Sequence, residues 1–64
     1  MKKVLIVDDN DFYFDIMKEI YDSNGYQVER AKTARNGWEK IQNNGLEYYH
    51  LIVTDITMET QISG

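Results

Sequence analysis

The chain contains no cysteine, no proline and only four glycines among 64 residues. Without cysteine there is neither a disulfide framework nor a thiolate metal site, so two of the usual staples of a small domain are missing. Long apolar runs are missing too: nothing approaches the roughly 18–20 residues that a membrane-spanning helix needs. Near the start, Val4-Leu5-Ile6-Val7 meets Asp8 and Asp9 at once, too soon for the apolar stretch of a secretory signal. The expectation is a cytoplasmic protein with no membrane partner. Positive charge is scarce, with 7 Lys and Arg against 11 Asp and Glu and a net charge of -4. The basic residues, Lys2, Lys3, Lys18, Arg30, Lys32, Arg35 and Lys40, are scattered and form no stripe, which argues against nucleic acid as a partner. What is present is a 42% hydrophobic, 12% aromatic composition, and this excludes intrinsic disorder. The length allows one domain, residues 1–64, which would bury only about 60% of its unfolded surface and so be marginally stable alone.

Segment types alternate along the chain. Four consecutive apolar residues, three of them β-branched, make Lys2 to Val7 a strand covered on both faces, as in parallel sheets. Asp8-Asp9-Asn10-Asp11 interrupts it and supplies caps for a helix from Asp11 to Ser23. In that helix the spacings 12/16/20 and 13/17/20/21 predict a wide apolar stripe. Asn24-Gly25 ends it, and Tyr26 to Ala31 reads as a short strand, with Tyr26, Val28 and Arg30 on one side and Gln27, Glu29 and Ala31 on the other. Thr33 caps a second helix whose apolar set is Ala34, Trp38 and Ile41, with Gly37 beside them, and Asn43-Asn44-Gly45 closes it. Tyr48 to Ile56 is expected as a third strand centred on Leu51-Ile52-Val53. The order is β-α-β-α-β, the pattern of a doubly wound α/β sheet with right-handed crossovers.

In such a sheet ligands bind at the carboxyl ends of the strands, at the point where strand order reverses. Asp8 and Asp9 follow the first strand, and Asp55 sits near the end of the third. If those strands are neighbours, three carboxylates converge, and a hard divalent cation relieves their repulsion. Mg2+ is the natural cytoplasmic choice for an all-oxygen donor set.

Val4-Leu5-Ile6-Val7-Asp8-Asp9 followed by a helix, and then Leu51-Ile52-Val53-Thr54-Asp55-Ile56-Thr57-Met58, together resemble the receiver domain of two-component response regulators. The resemblance runs from the first strand through the third and implies half of a flavodoxin-like fold with parallel strand order 2-1-3. It implies that Asp55 is the phosphoacceptor, taking a phosphoryl group from a histidine kinase or phosphotransfer protein. Asp9 would ligate Mg2+ directly, Asp8 largely through water, and the Thr57 carbonyl would add a ligand. The module would be a phosphorelay component rather than an enzyme.

The resemblance also has gaps. The family's fourth and fifth strands, with their switch hydroxyl and lysine, have no counterpart in residues 1–64. Met58-Glu59 stands where Met-Pro is usual, His50 replaces an acid, and Ile62-Ser63-Gly64 resembles the family's Met-Asp-Gly turn. Strand 3 would be an apolar edge, and one helix on each face could not cover the sheet. We therefore expect completion by dimerisation, most simply a two-fold homodimer. The alternative function is a dimerisation or interaction module, derived from a truncated receiver and never phosphorylated. Trp38, Tyr48, Tyr49 and the aromatics of the first helix are expected in core or subunit contacts, and His50 is expected as a polar residue at a strand entrance.

Overall fold

The computed structural model describes residues 2–54. Strand β1 (Lys2–Val7) is followed by helix α1 (Asp11–Ser23), strand β2 (Tyr26–Ala31), helix α2 (Ala34–Asn44), a single 3₁₀ turn (Leu46–Tyr48) and strand β3 (Leu51–Thr54). The three strands form a parallel sheet in the order β2-β1-β3. Lys2 pairs with Tyr26 and Val7 with Ala31 on one side of β1, while Val4 pairs with Leu51 and Val7 with Thr54 on the other. The expected half of a flavodoxin-like doubly wound fold is thus present, with its central strand first in sequence.

Local chemistry explains the boundaries. Asn10 caps α1, its side chain accepting from the Tyr13 amide, and Thr33 caps α2 by accepting from the Asn36 amide. These side chains satisfy amides that the first helical turn leaves unpaired. Gly25 and Gly45 take φ of 87° and 92° just after the two helices, a conformation in which a Cβ is strained.

β1 is the core. Val4, Leu5 and Ile6 have no exposed surface and Val7 has almost none, as a run apolar on both faces requires. Alternation sends Leu5 and Val7 to the α2 side, where they meet Ala31, Tyr49, Ile41 and Ile52. Val4 and Ile6 face the α1 side.

Three expectations are corrected. The third strand begins at Leu51 rather than Tyr48, and residues 55 and 56 of its expected span lie outside the described residues. The chain makes a 3₁₀ turn first because Tyr49 is drawn into the core, where its hydroxyl donates to Glu29 Oε1 at 2.8 Å. In α2 the residue against the sheet is Gly37, not Trp38: a Cβ at Gly37 would lie 2.9 Å from Val7 Cγ2, while Trp38 is 59% exposed. Once Gly37 and Ile41 face the sheet, the 100° step carries Trp38 onto the solvent flank. In α1 the half-buried set is Phe14, Met17 and Tyr21, and no residue of that helix is buried. Phe12, Tyr13, Ile16 and Ile20 are exposed. With a right-handed crossover, this flank of α1 faces the β3 side of the sheet, where Leu51 and Val53 are only half-buried.

His50 stands at the strand entrance as expected. Its amide donates to the Lys3 carbonyl at 2.8 Å, and its Nδ1 accepts from the Lys3 amide at 3.2 Å, so the ring stands in for a backbone carbonyl where the ladder begins.

Candidate functional site

Parallel pairing of β1 with both neighbours brings three strand ends together at one edge of the sheet. The Asp8 amide extends the ladder by one bond, donating to the Ala31 carbonyl at 3.0 Å. Asp8 is thereby fixed where β1 leaves the sheet, and it is 2% exposed, the one buried charged residue among those described. Its Oδ1 accepts from the Asn10 amide at 2.9 Å, a local turn that leads into the α1 cap. Asp9 follows it on the exposed surface of the loop.

A guanidinium closes the other side of this loop. Arg30, at the end of β2, sends Nε and Nη2 to the Asp8 backbone carbonyl at 3.2 and 3.1 Å. Nη2 also pairs with Asp11 Oδ1 at 2.8 Å, and the group lies over the Phe14 ring, 4.4 Å from its centroid. The hydrogen bond and charge of Arg30, helped by Lys32, hold the Asp11 carboxyl below its ordinary range. This arrangement was not foreseen from the sequence, although Arg30 occupies the last position of the β2 side that faces α1.

The guanidinium thus reaches a backbone oxygen and Asp11 and bypasses the acid pair. Among the described residues neither Asp8 nor Asp9 has an ion-pair partner. A nearly buried carboxylate beside a second, exposed one, both hard oxygen donors, suits Mg2+ better than any softer metal. Among the described residues no group of three metal-ligating side chains is assembled, and the expected ligands Asp55 and the Thr57 carbonyl lie outside them. What is established is the position of the strand that leads to Asp55. Thr54, the residue before it, pairs with Val7, the residue before Asp8. The departures noted at Met58-Glu59 and at residues 62–64 also lie outside the described residues.

A second polar cluster lies on the opposite face. The Tyr49 hydroxyl donates to Glu29 and accepts from Asn44 Nδ2 at 3.1 Å, with Tyr48 and Lys40 also reaching Glu29. Burial, and then the bond to Glu29, push the Tyr49 hydroxyl above its ordinary pKa. This cluster ties the 3₁₀ turn to β2 and α2 and points away from the acid pair.

No helix among the described residues is long and apolar enough to cross a membrane. Comparison with known proteins identifies the family. The chain is 33% identical over 55 residues to the two-component response regulator ORR27 of Oryza sativa subsp. japonica, a stretch covering 86% of this chain and 9% of that protein. The chain therefore spans about a tenth of that relative's length, and no solved structure matches it significantly. The sequence profile of the response regulator receiver domain matches residues 4–64, nearly the whole chain. With its parallel β2-β1-β3 sheet and the profile matching residues 4–64, this chain belongs to the response regulator receiver family, whose members are phosphorelay signalling modules.

Proposed function

We propose that residues 1–64 act as one receiver unit of a cytoplasmic phosphorelay, accepting a phosphoryl group on Asp55 with Mg2+ held by Asp8, Asp9, Asp55 and the Thr57 carbonyl. The observation that carries this reading is the nearly buried Asp8 at the end of β1, level with the end of β3 through the Val7–Thr54 pairing. A carboxylate oxygen of Asp55 attacks the phosphorus of a phosphohistidine on a histidine kinase or phosphotransfer protein. The P–O bond forms as the P–N bond breaks, and the leaving imidazole is protonated. Bound Mg2+ supplies neutralisation of the charge on the transferring oxygens. The chain's own part is to hold two carboxylates at the end of β1, where among the described residues neither has an ion-pair partner.

Two features support a homodimer as the working form. The α1 flank exposes Phe12, Tyr13, Ile16 and Ile20 together, a larger apolar surface than scattered single residues make. Among the described residues β3 has β1 as its one sheet neighbour, which leaves its other edge open to a second strand. Light scattering across a concentration series tests this, with Ile16→Glu expected to lower the mass to that of one chain.

Beryllofluoride, a phosphoryl mimic, tests the phosphoacceptor. With Mg2+ it should shift the amide resonances of Asp8 to Asp11 and of Thr54 in the wild-type chain and leave them unmoved in Asp55→Asn. No shift in the wild type overturns the reading.

A further inference from the structure

We propose that Arg30 is a positioning residue that sets the acid loop in its ion-receiving form, and so determines how tightly the Asp8–Asp9 pair binds a divalent cation. This inference rests on the reading of that pair as metal ligands.

The argument starts from what the guanidinium touches. Two of its nitrogens converge on one carbonyl, that of Asp8, at 3.2 and 3.1 Å. The peptide that this carbonyl belongs to joins the two acids. Any rotation about it moves the Asp9 carboxylate relative to that of Asp8. The Asp8 amide is already locked to the Ala31 carbonyl and its Oδ1 to the Asn10 amide, so Arg30 supplies a third restraint on the residue. The guanidinium is itself held in place, by Asp11 at 2.8 Å and by the face of Phe14 beneath it. Its side chain is 20% exposed, so it is substantially desolvated. A planar fork stacked on an aromatic ring can make all these contacts at once, and a lysine ammonium cannot.

Charge and geometry predict opposite signs here. Arg30 carries a positive charge beside a proposed cation site, so if it acts through charge alone, its removal tightens Mg2+ binding by relieving repulsion. If it acts by holding the Asp8 peptide, its removal weakens binding. Lysine separates the two cases, because it keeps the charge and loses the fork.

Mg2+ affinity is measured by calorimetry on the wild-type chain, Arg30→Lys and Arg30→Met, with unfolding without metal recorded for each. The wild-type Arg30 Nε resonance is followed through the same titration. Positioning predicts that both variants bind Mg2+ at least about five-fold more weakly, and that the Nε resonance shifts as the ion enters. Equal or tighter binding by Arg30→Lys overturns the proposal and leaves the metal site standing. So does an Nε resonance indifferent to Mg2+, a measurement that needs no variant to fold. A wild-type chain that binds no Mg2+ overturns both the proposal and the metal reading on which it rests.

Discussion

The two faces of the sheet are finished to different degrees. On the α2 face Leu5, Val7, Ala31 and Tyr49 are buried together, with Ile41 and Ile52 packed against them and the helix backbone drawn down through Gly37. On the α1 face the same central strand contributes Val4 and Ile6, yet the covering helix has no buried residue and leaves Phe12 70% exposed. α1 rests on the sheet through Phe14, Met17 and Tyr21 and is tied at its first turn by Arg30. One face is thus held by close packing and the other by a narrower apolar contact with a polar tie. The α1 face therefore buries its share of β1 as completely as the α2 face does, and what it leaves uncovered is the outer flank of α1 itself.

The largest expected effect comes from the closed face. Leu5→Ala removes a fully buried side chain and should cost about 2–5 kcal/mol in denaturant unfolding, enough to unfold a marginal domain. Phe12→Ala, at low concentration, should stay within about 0.5 kcal/mol of the wild type, as for surface positions generally. A Phe12→Ala cost that grows with protein concentration would show a second chain covering the open face. Equal costs for the two substitutions at low concentration would abolish the contrast.

Gly37 sharpens the same contrast from the backbone. A methyl group there meets Val7 Cγ2 at 2.9 Å, so Gly37→Ala must displace either the Val7 side chain or α2. Overpacking of this kind costs about 1–3 kcal/mol, against a gain in helix propensity of up to about 1 kcal/mol. The net expectation is a loss of about 1–2 kcal/mol in thermal unfolding. A more stable variant would mean that the helix is not pressed against the strand.

Gly37 also shows where reading from sequence succeeds and where it stops. The first strand, both helices and their caps follow from local patterns: an apolar run broken by acids, side-chain caps, and glycines just past helix ends. The strand order 2-1-3 follows instead from the resemblance to receiver domains. Which flank of a helix meets the sheet is a tertiary matter. In α2 the large apolar residue, Trp38, pointed to one helical phase, but close approach to Val7 selected the phase that puts glycine inward. Tyr49 read as part of a strand because β-propensity is blind to a hydroxyl that bonds a residue 20 positions earlier. The acid pair stood out through the resemblance, since two aspartates after a strand read equally well as turn and cap residues by themselves. Arg30 did not, since nothing local links a strand residue to a carbonyl 22 positions before it.

Tyr49 tests whether the polar cluster under α2 contributes to the closed face. Tyr49→Phe keeps the ring and removes the hydroxyl, leaving Glu29 and Asn44 without that partner, at a cost of about 1 kcal/mol. The hydroxyl titrates above its ordinary 10.0 in the folded chain. The unfolded chain therefore loses this proton first as pH rises. Its contribution is fully present below the ordinary value and fades as pH climbs through the raised one. Thermal melts in alkali should show the wild type losing its advantage over Tyr49→Phe. An advantage that persists at high pH would mean the hydroxyl is not held protonated by its surroundings.

The smallest effect belongs to the polar tie on the open face, and its sign is opposite. Asp11 is exposed, but the hydrogen bond from Arg30 keeps its carboxyl below the ordinary 3.8. Here the unfolded chain takes up the proton first as pH falls. The contribution of the pair is present above the ordinary value and is lost as pH drops through the lowered one. Asp11→Asn should melt slightly below the wild type near neutrality and converge with it in acid, and salt should shrink the difference because the pair faces solvent. The Arg30 bonds to the Asp8 carbonyl do not pass through Asp11, so this substitution should loosen the first turn of α1 far more than it loosens the acid pair. A variant indistinguishable from the wild type at every pH would leave the stacking on Phe14 and the narrow apolar contact as the whole of what holds α1 to the sheet.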